Sequence, residues 1–198
     1  MKTVIVRLLS IDIVKENLSL VMSFVDEYRL NKAKRFQHED DQLKSLGGGY
    51  LIQKYLPGFE VIYKDNQKPY IKNGPSFNIS HSGKYIVFVM DEDSDIGVDI
   101  EQIDERRIDS IKYVLNEQDY AQSKEELFQL WTNKESLVKC RGTGIREIKK
   151  VPALPLEGLR VFDNQEYYTK SLVFEDYALS ICRESDEPFE IKIEEVTI

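Results

Sequence analysis

Apolar positions along the chain switch between two spacings, and the switches mark the elements. Val4-Ile5-Val6-Arg7-Leu8-Leu9 is a β-branched run and predicts a first strand. Leu20, Phe24 and Tyr28 then recur at helical spacing and predict a helix over 18–36. A second helix is predicted over 40–55. Gly47-Gly48-Gly49 weakens it, since an interior glycine costs about 1 kcal/mol relative to alanine. Pro57-Gly58 ends that segment. Short strands are expected at 60–63, 69–71 and 77–79, and a longer one at 85–90, where Ile86-Val87-Phe88-Val89 is β-branched and aromatic. Asp91-Glu92-Asp93-Ser94-Asp95 reads as a polar turn between two halves.

The second half follows the same order without any repeat in its sequence. Gly97-Val98-Asp99-Ile100-Glu101 alternates as a strand. Residues 108–115 and 116–140 read as helical, the latter with Leu127, Trp131 and Val138 on one face and Leu130 and Leu137 beside it. Pro152 and Pro155 enforce an irregular link. Strands recur at 159–162, 167–174, 177–182 and 189–196. Strand, helices, then several strands in each half predicts an α+β fold rather than a doubly wound α/β sheet. The expected division is an N-terminal half, 1–94, and a C-terminal half, 95–198.

Composition narrows the classes. The chain has 198 residues, 41% hydrophobic and 31% charged, enough for one large domain or two small lobes. No apolar run is long enough to span a bilayer, and the apolar start is too short for a signal peptide and is interrupted by Arg7. Cys140 and Cys182 are the only cysteines, too few for a disulfide framework or a structural zinc site, so a reducing, cytoplasmic setting is expected. Asn17-Leu18-Ser19 and Asn78-Ile79-Ser80 match the glycosylation pattern, but without a secretion signal both read as chance. A net charge of −8 argues against nucleic acid as a partner. Positive charge gathers locally at Arg29, Lys32, Lys34 and Arg35, and again at Arg106 and Arg107. Such patches suit a small polyanion or an acidic protein; the alternative is a solvated helix face.

Three segments carry candidate chemistry. Strand alternation puts Asp99 and Glu101 on one face. Two ionised carboxylates repel, and a hard cation such as Mg²⁺ relieves the repulsion while keeping phosphates in its shell; alternatively they are two surface acids. Glu135 and Lys139 lie one helical turn apart, either as an ordinary ion pair or, with Trp131 on the same face, close to the core. If that helix faces the strand, three carboxylates and a lysine converge. Phe77-Asn78-Ile79-Ser80-His81-Ser82-Gly83 places Ser80 and His81 at a strand junction. Adjacent strand residues point oppositely, which argues against a Ser-His hydrolase and favours a loop bonding phosphate oxygens.

The order of these three segments, with Trp131-Thr132-Asn133-Lys134-Glu135-Ser136-Leu137-Val138-Lys139 as the last, resembles the 4′-phosphopantetheinyl transferase superfamily. The match is to the longer, monomeric surfactin-synthetase-activating (Sfp-like) branch rather than the short, trimeric holo-acyl-carrier-protein synthases. Gln67-Lys68-Pro69 is similar to that branch's Gly-Lys-Pro, with Gln replacing Gly, and 29–44 resembles its basic N-terminal stretch. The resemblance covers about 28–144. It implies two related α/β halves with the active site between them. The implied reaction transfers 4′-phosphopantetheine from coenzyme A to a serine of an apo acyl or peptidyl carrier protein, releasing adenosine 3′,5′-bisphosphate.

By the same resemblance Asp99, Glu101 and Glu135 would hold Mg²⁺, Glu135 would take the serine proton directly or through water, and Lys139 would neutralise the α-phosphate side. Ser80 and His81 would contact phosphates of coenzyme A, and Arg29, Lys32, Lys44 and Lys68 its 3′-phosphate or adenine end. The carrier's acidic helix would dock on Arg106, Arg107, Ile111 and Tyr113. Arg141 has no assigned role. A noncatalytic carrier- or nucleotide-binding module and a metal-dependent nucleotide hydrolase are the competing functions. The carrier's pathway stays open among fatty-acid, polyketide, peptide-synthetase and siderophore systems.

Overall fold

Two antiparallel strands buried on both faces set the layering. The computed structural model describes residues 1–63, 68–116 and 119–198. In chain order the elements are β1 (Lys2–Ser10), α1 (Ile11–Glu16), α2 (Leu18–Phe24), α3 (Glu27–Ala33), α4 (Glu39–Tyr55), β2 (Val61–Ile62), β3 (Tyr70–Ile71), β4 (Ser76–Ser82) and β5 (Tyr85–Asp91). Then come β6 (Ile96–Gln102), a 3₁₀ turn (Glu105–Arg107), α5 (Ile108–Val114), α6 (Lys124–Arg141), a second 3₁₀ turn (Ile145–Glu147), β7 (Glu157–Phe162), β8 (Gln165–Phe174), β9 (Tyr177–Arg183) and β10 (Phe189–Glu195). One four-stranded sheet runs β10-β1-β5-β4 and the other β6-β9-β8-β7, with β2 and β3 as a separate pair.

The two sheets share a core. Val87 and Val89 of β5, with Val4 and Val6 of β1, pack against Val98 and Ile100 of β6 and Leu179 and Ile181 of β9. The intervening positions face outward into helices. Ile86 and Phe88 meet Val14, Leu46 and Leu51 from α1 and α4, while Ala178 and Cys182 of β9 meet Phe128, Leu137 and Val138 of α6. Both faces being apolar, β5 and β9 read as near-continuous hydrophobic runs. The mixed helix and antiparallel-sheet composition is the α+β class expected.

Capping explains where the helices differ from their expected bounds. The span 18–36 is two helices, because Asp26 is extended and its carboxylate accepts the N–H of Arg29 at 2.7 Å, starting α3 afresh. Ser10 caps α1, a helix the apolar spacing did not suggest. The span 116–140 begins its helix only at Lys124, where Ser123 accepts the N–H of Glu126 at 3.1 Å. The glycine run stays inside α4 because it is buried: a Cβ on Gly47 would lie 2.4 Å from Cδ1 of Ile86. Gln67 lies outside the described residues.

Two stitches join the sheets. Alternate side chains of β4, those of Ser76, Asn78, Ser80 and Ser82, accept the backbone N–H groups of Ile96, Val98, Ile100 and Gln102 at 3.3, 3.0, 3.4 and 3.0 Å. The edge of β6 is thus satisfied by side chains instead of another strand. At the 91–95 turn, Arg183 of β9 donates to Asp91 of β5 at 2.7 Å, and Lys2 donates to the other Asp91 oxygen at 2.7 Å. The last strand also crosses between halves. β10 pairs in parallel with β1, Val4 opposite Ile191, because Phe189, Ile191 and Ile193 pack into the shared core.

Candidate active site

β6 splits its residues between two environments. Ile96, Val98 and Ile100 enter the shared core, leaving Gly97, Asp99 and Glu101 on the face toward α6. The helix sits directly on Gly97, where a Cβ would be 2.1 Å from the Ser136 carbonyl oxygen and 2.3 Å from the Cys140 nitrogen. This close approach presses the Trp131, Glu135, Lys139 face of α6 onto the two carboxylates. Trp131 Nε1 donates to Glu101 Oε1 at 3.2 Å, and Lys139 Nζ donates to Asp99 Oδ1 at 2.5 Å. Glu135 Oε2 is 3.9 Å from the same ammonium. From the third side, Ser80 donates to Asp99 Oδ1 at 2.7 Å and accepts from Lys139 at 3.1 Å, while Ser82 donates to Glu101 Oε2 at 2.8 Å.

The electrostatics are those of buried acids around one cation. Asp99 and Glu135 are 3% and 8% exposed, and one oxygen of each, Asp99 Oδ2 and Glu135 Oε1, has no hydrogen-bond partner among the described residues. Burial pushes the Asp99 carboxyl above its ordinary value against the pull of Lys139. Burial and then the charge of Asp99 raise Glu135 to about 7, with Lys139 opposing. Burial alone would lower Lys139, but Asp99 and Glu135 raise it, so its ammonium is charged at neutral pH. Among the described residues, no three His, Cys, Asp or Glu side chains are gathered into a ready-made metal cage. Lys139 stands between Asp99 and Glu135, and Arg107 is bonded to Glu101 Oε2. The donor set nevertheless fits a hard cation, since two adjacent buried carboxylates each keep a free oxygen.

Residues 95–187, the span holding this β6–α6 pair, match the family model of the 4′-phosphopantetheinyl transferase superfamily. A 4′-phosphopantetheinyl transferase of Bacillus subtilis is 31% identical over 159 residues, 71% of this chain and 67% of the relative. The chain belongs to the 4′-phosphopantetheinyl transferase superfamily. The transferase Sfp of Bacillus subtilis strain 168 is 29% identical over 163 residues, covering 73% and 69% of the two chains, and the transferase gsp of Aneurinibacillus migulanus is 34% identical over 127 residues, covering 56% and 53%. The chain is a transferase of the Sfp-like branch, whose reaction moves 4′-phosphopantetheine from coenzyme A to a carrier-protein serine.

The transferase arranges its other expected residues unevenly. A cleft of about 280 Å³ opens beside Glu135 and Lys139, lined also by Lys68, Asn78, Gly142 and Ile145. An adjoining one of about 340 Å³ shares Lys68 and Gly142. Ser80 lies inside the site, whereas its neighbour His81 points the other way along β4 and is exposed. Although its edge reaches solvent, surrounding protein crowds the imidazole, and that crowding, then the charges of Lys139 and Lys44, holds the His81 pKa below the usual imidazole range. Lys44 itself contacts Asp41 at 3.4 Å. Lys68 is engaged internally, donating to Ile96 O at 2.7 Å, Ser76 Oγ at 3.2 Å and Cys140 O at 3.5 Å, so its three donors already clamp β6 to α6. Arg29 is buried on α3, with its guanidinium 5.3 Å from the Tyr63 ring, and Lys32 beside it is exposed.

The expected docking segment divides too. Arg106 is exposed and closes on Asp104, whose carboxyl its bonds pull down to about 2. Tyr113 is 76% exposed. Ile111 is 1% exposed in the core under α6, which removes it as a surface contact: its apolar side chain is the one that anchors α5. Arg141 pairs with Asp163 at 2.6 Å and covers the Phe162 ring, a structural role.

Some site supports were missed in the sequence. Asn133 is fully buried, donates to Ala153 O and Pro155 O at 2.7 and 2.8 Å, and accepts from Arg160 at 2.6 Å and from Thr169. Lys134, equally buried, pairs with Asp119 at 2.8 Å. Polar residues between the apolar positions of a helix usually face water; here Ala153, Pro155 and Arg160 take up Asn133, and Asp119 takes up Lys134. The polar residues at every second position of 76–82 were the readable signal for the β4 stitch.

Proposed function

We propose that Asp99, Glu101 and Glu135 hold Mg²⁺ against the pyrophosphate of coenzyme A, and that Glu135 takes the proton of the carrier serine. The observation that carries this reading is the pair of unpartnered buried oxygens, Asp99 Oδ2 and Glu135 Oε1. A buried acceptor without a partner costs about 1–3 kcal/mol, and two of them side by side favour a bound cation over a purely structural ion pair. Bound there, the cation supplies neutralisation of the pyrophosphate and of the departing bisphosphate.

The chain's own residues do the rest. Lys139 carries a full charge at neutral pH and is aimed by Ser80, so it neutralises the α-phosphate side. Glu135, raised to about 7, is matched to accept a proton near neutrality, help typically worth about 10²–10⁴-fold. The serine oxygen bonds to the pantetheine-side phosphorus and its proton passes to Glu135. The bond from that phosphorus to the bridging oxygen breaks, and adenosine 3′,5′-bisphosphate leaves. We assign Ser80 and His81 to phosphates of coenzyme A, and Arg29, Lys32 and Lys44 to its 3′-phosphate or adenine end. Lys68 joins them only by releasing one of its internal acceptors. Arg106 and Tyr113 are the surface we assign to the carrier. The reading also takes the enzyme as a cytoplasmic monomer with two free buried cysteines; among the described residues no helix is long and apolar enough to cross a membrane.

Intact-protein mass spectrometry of several apo carriers incubated with the enzyme, coenzyme A and Mg²⁺ tests the reading. The wild type gives a phosphopantetheinyl mass gain, and Glu135→Gln loses nearly all of it while keeping its circular dichroism spectrum. Full transfer by Glu135→Gln refutes both its metal and its base roles. Release of adenosine bisphosphate with no carrier present would favour a nucleotide hydrolase instead.

A further inference from the structure

The three carboxylates are not equivalent. Asp99 and Glu135 each keep a free oxygen, but both oxygens of Glu101 are engaged, Oε1 by Trp131 and Oε2 by Ser82 and Arg107. Arg107 is the only one of these donors that carries a charge. Its placement is built into the chain. Asp104 caps the 3₁₀ turn by accepting the N–H of Arg106 at 2.9 Å and holds the Arg106 guanidinium on the outside. The next residue is thereby turned back toward β6, where Arg107 meets the carboxylate six positions earlier.

We infer that Arg107 is a positioning residue that competes with the divalent cation for Glu101 and so weakens cation binding in the resting enzyme. This rests on the cation site proposed above. A guanidinium already bonded to one ligand must give up a charge-assisted hydrogen bond before that oxygen can turn to a metal. The Arg107 side chain is 39% exposed, which leaves it room to swing out into water when Glu101 is drawn away. Arg106 cannot substitute, because it faces solvent and is paired with Asp104.

The test titrates Mn²⁺ into the intact chain with coenzyme A present and follows free Mn²⁺ by electron paramagnetic resonance. Arg107→Gln should bind Mn²⁺ roughly tenfold more tightly than the wild type, the ratio one charge-assisted hydrogen bond supports. Arg106→Gln, which removes the same charge one residue away, should leave the affinity within about twofold, as an exposed charge is screened. Adding Glu101→Gln to Arg107→Gln should abolish the gain. Arg107→Lys keeps a charge without the planar fork and should fall between wild type and Arg107→Gln. Equal affinities in wild type and Arg107→Gln, with binding still lost in Glu135→Gln, overturn the role of Arg107 and leave the cation site standing. An equal gain in Arg106→Gln overturns it too, since a general charge effect then suffices. Absence of Mn²⁺ uptake in the wild type overturns both the inference and the cation site beneath it.

Discussion

Gly97→Ala is the smallest change that reaches the active site through backbone alone. The added methyl would lie 2.1 Å from the Ser136 carbonyl oxygen, 2.3 Å from the Cys140 nitrogen and 2.9 Å from the Cys140 Cα. All three are backbone atoms of α6, so no side chain can turn aside. Restoring an ordinary contact needs α6 and β6 to part by about 1 Å. The helix is buried nearly all round, which resists that movement, and overpacking of this kind costs about 1–3 kcal/mol. The same displacement separates Lys139 and Glu135 from Asp99 and Glu101, and a 1 Å misplacement in an active site costs on the order of 10²-fold in rate. Urea unfolding should therefore show a loss of about 2 kcal/mol, and kcat/KM for carrier modification should drop about 100-fold with the far-ultraviolet spectrum unchanged. Wild-type activity in a stably folded Gly97→Ala enzyme would refute the claim that the close β6–α6 approach sets the site.

Three further outcomes follow from the geometry. Asn133→Ala strips the Ala153 and Pro155 carbonyls of this amide donor and takes one acceptor each from Arg160 and Thr169, which keep the Pro152 and Ile181 carbonyls; a loss of about 3 kcal/mol is expected, lowering Tm by roughly 10 °C in calorimetry, and an unchanged Tm would contradict the network's role. Burial pushes the Asp91 pKa up, but bonds from Lys2, the Asp93 N–H and Arg183 outweigh it and leave the folded value depressed. The unfolded chain then binds the proton more readily, so this stabilisation is present above the unfolded carboxylate value and is lost as pH falls through the folded one. Asp91→Asn should cost about 3 kcal/mol in urea unfolding at pH 7 and progressively less as the pH is taken below the ordinary carboxylate range, and a gap independent of pH would exclude the ion network as its source. Arg106→Glu should raise the carrier KM several-fold while leaving the KM for coenzyme A unchanged; equal carrier kinetics would remove this surface from docking.

The parts of the site that were legible are those with a short period. Alternation in 97–101 put Asp99 and Glu101 on one face, and the four-residue spacing put Trp131, Glu135 and Lys139 on another; the structure brings those two faces together. The order of the three motifs likewise carried the family. What local pattern does not hold is the choice of distant partners. Nothing near β10 says that it pairs with β1, and nothing near Lys68 says that its ammonium is taken up by Ile96, Ser76 and Cys140. Helix bounds missed at 26 and 123 were decided by single capping side chains, which the apolar spacing does not register. Arg107 read as a surface charge because its partner lies on a neighbouring strand, and Ile111 read as accessible because the core it enters is built from α6 and β9.

The most direct test of the central claim is anomalous diffraction from crystals grown with coenzyme A and Mn²⁺. One strong peak is predicted within ligand distance of the free oxygens of Asp99 and Glu135, next to the pyrophosphate. Coenzyme A bound with its pyrophosphate away from these carboxylates, or a manganese peak that touches neither of them, would contradict it.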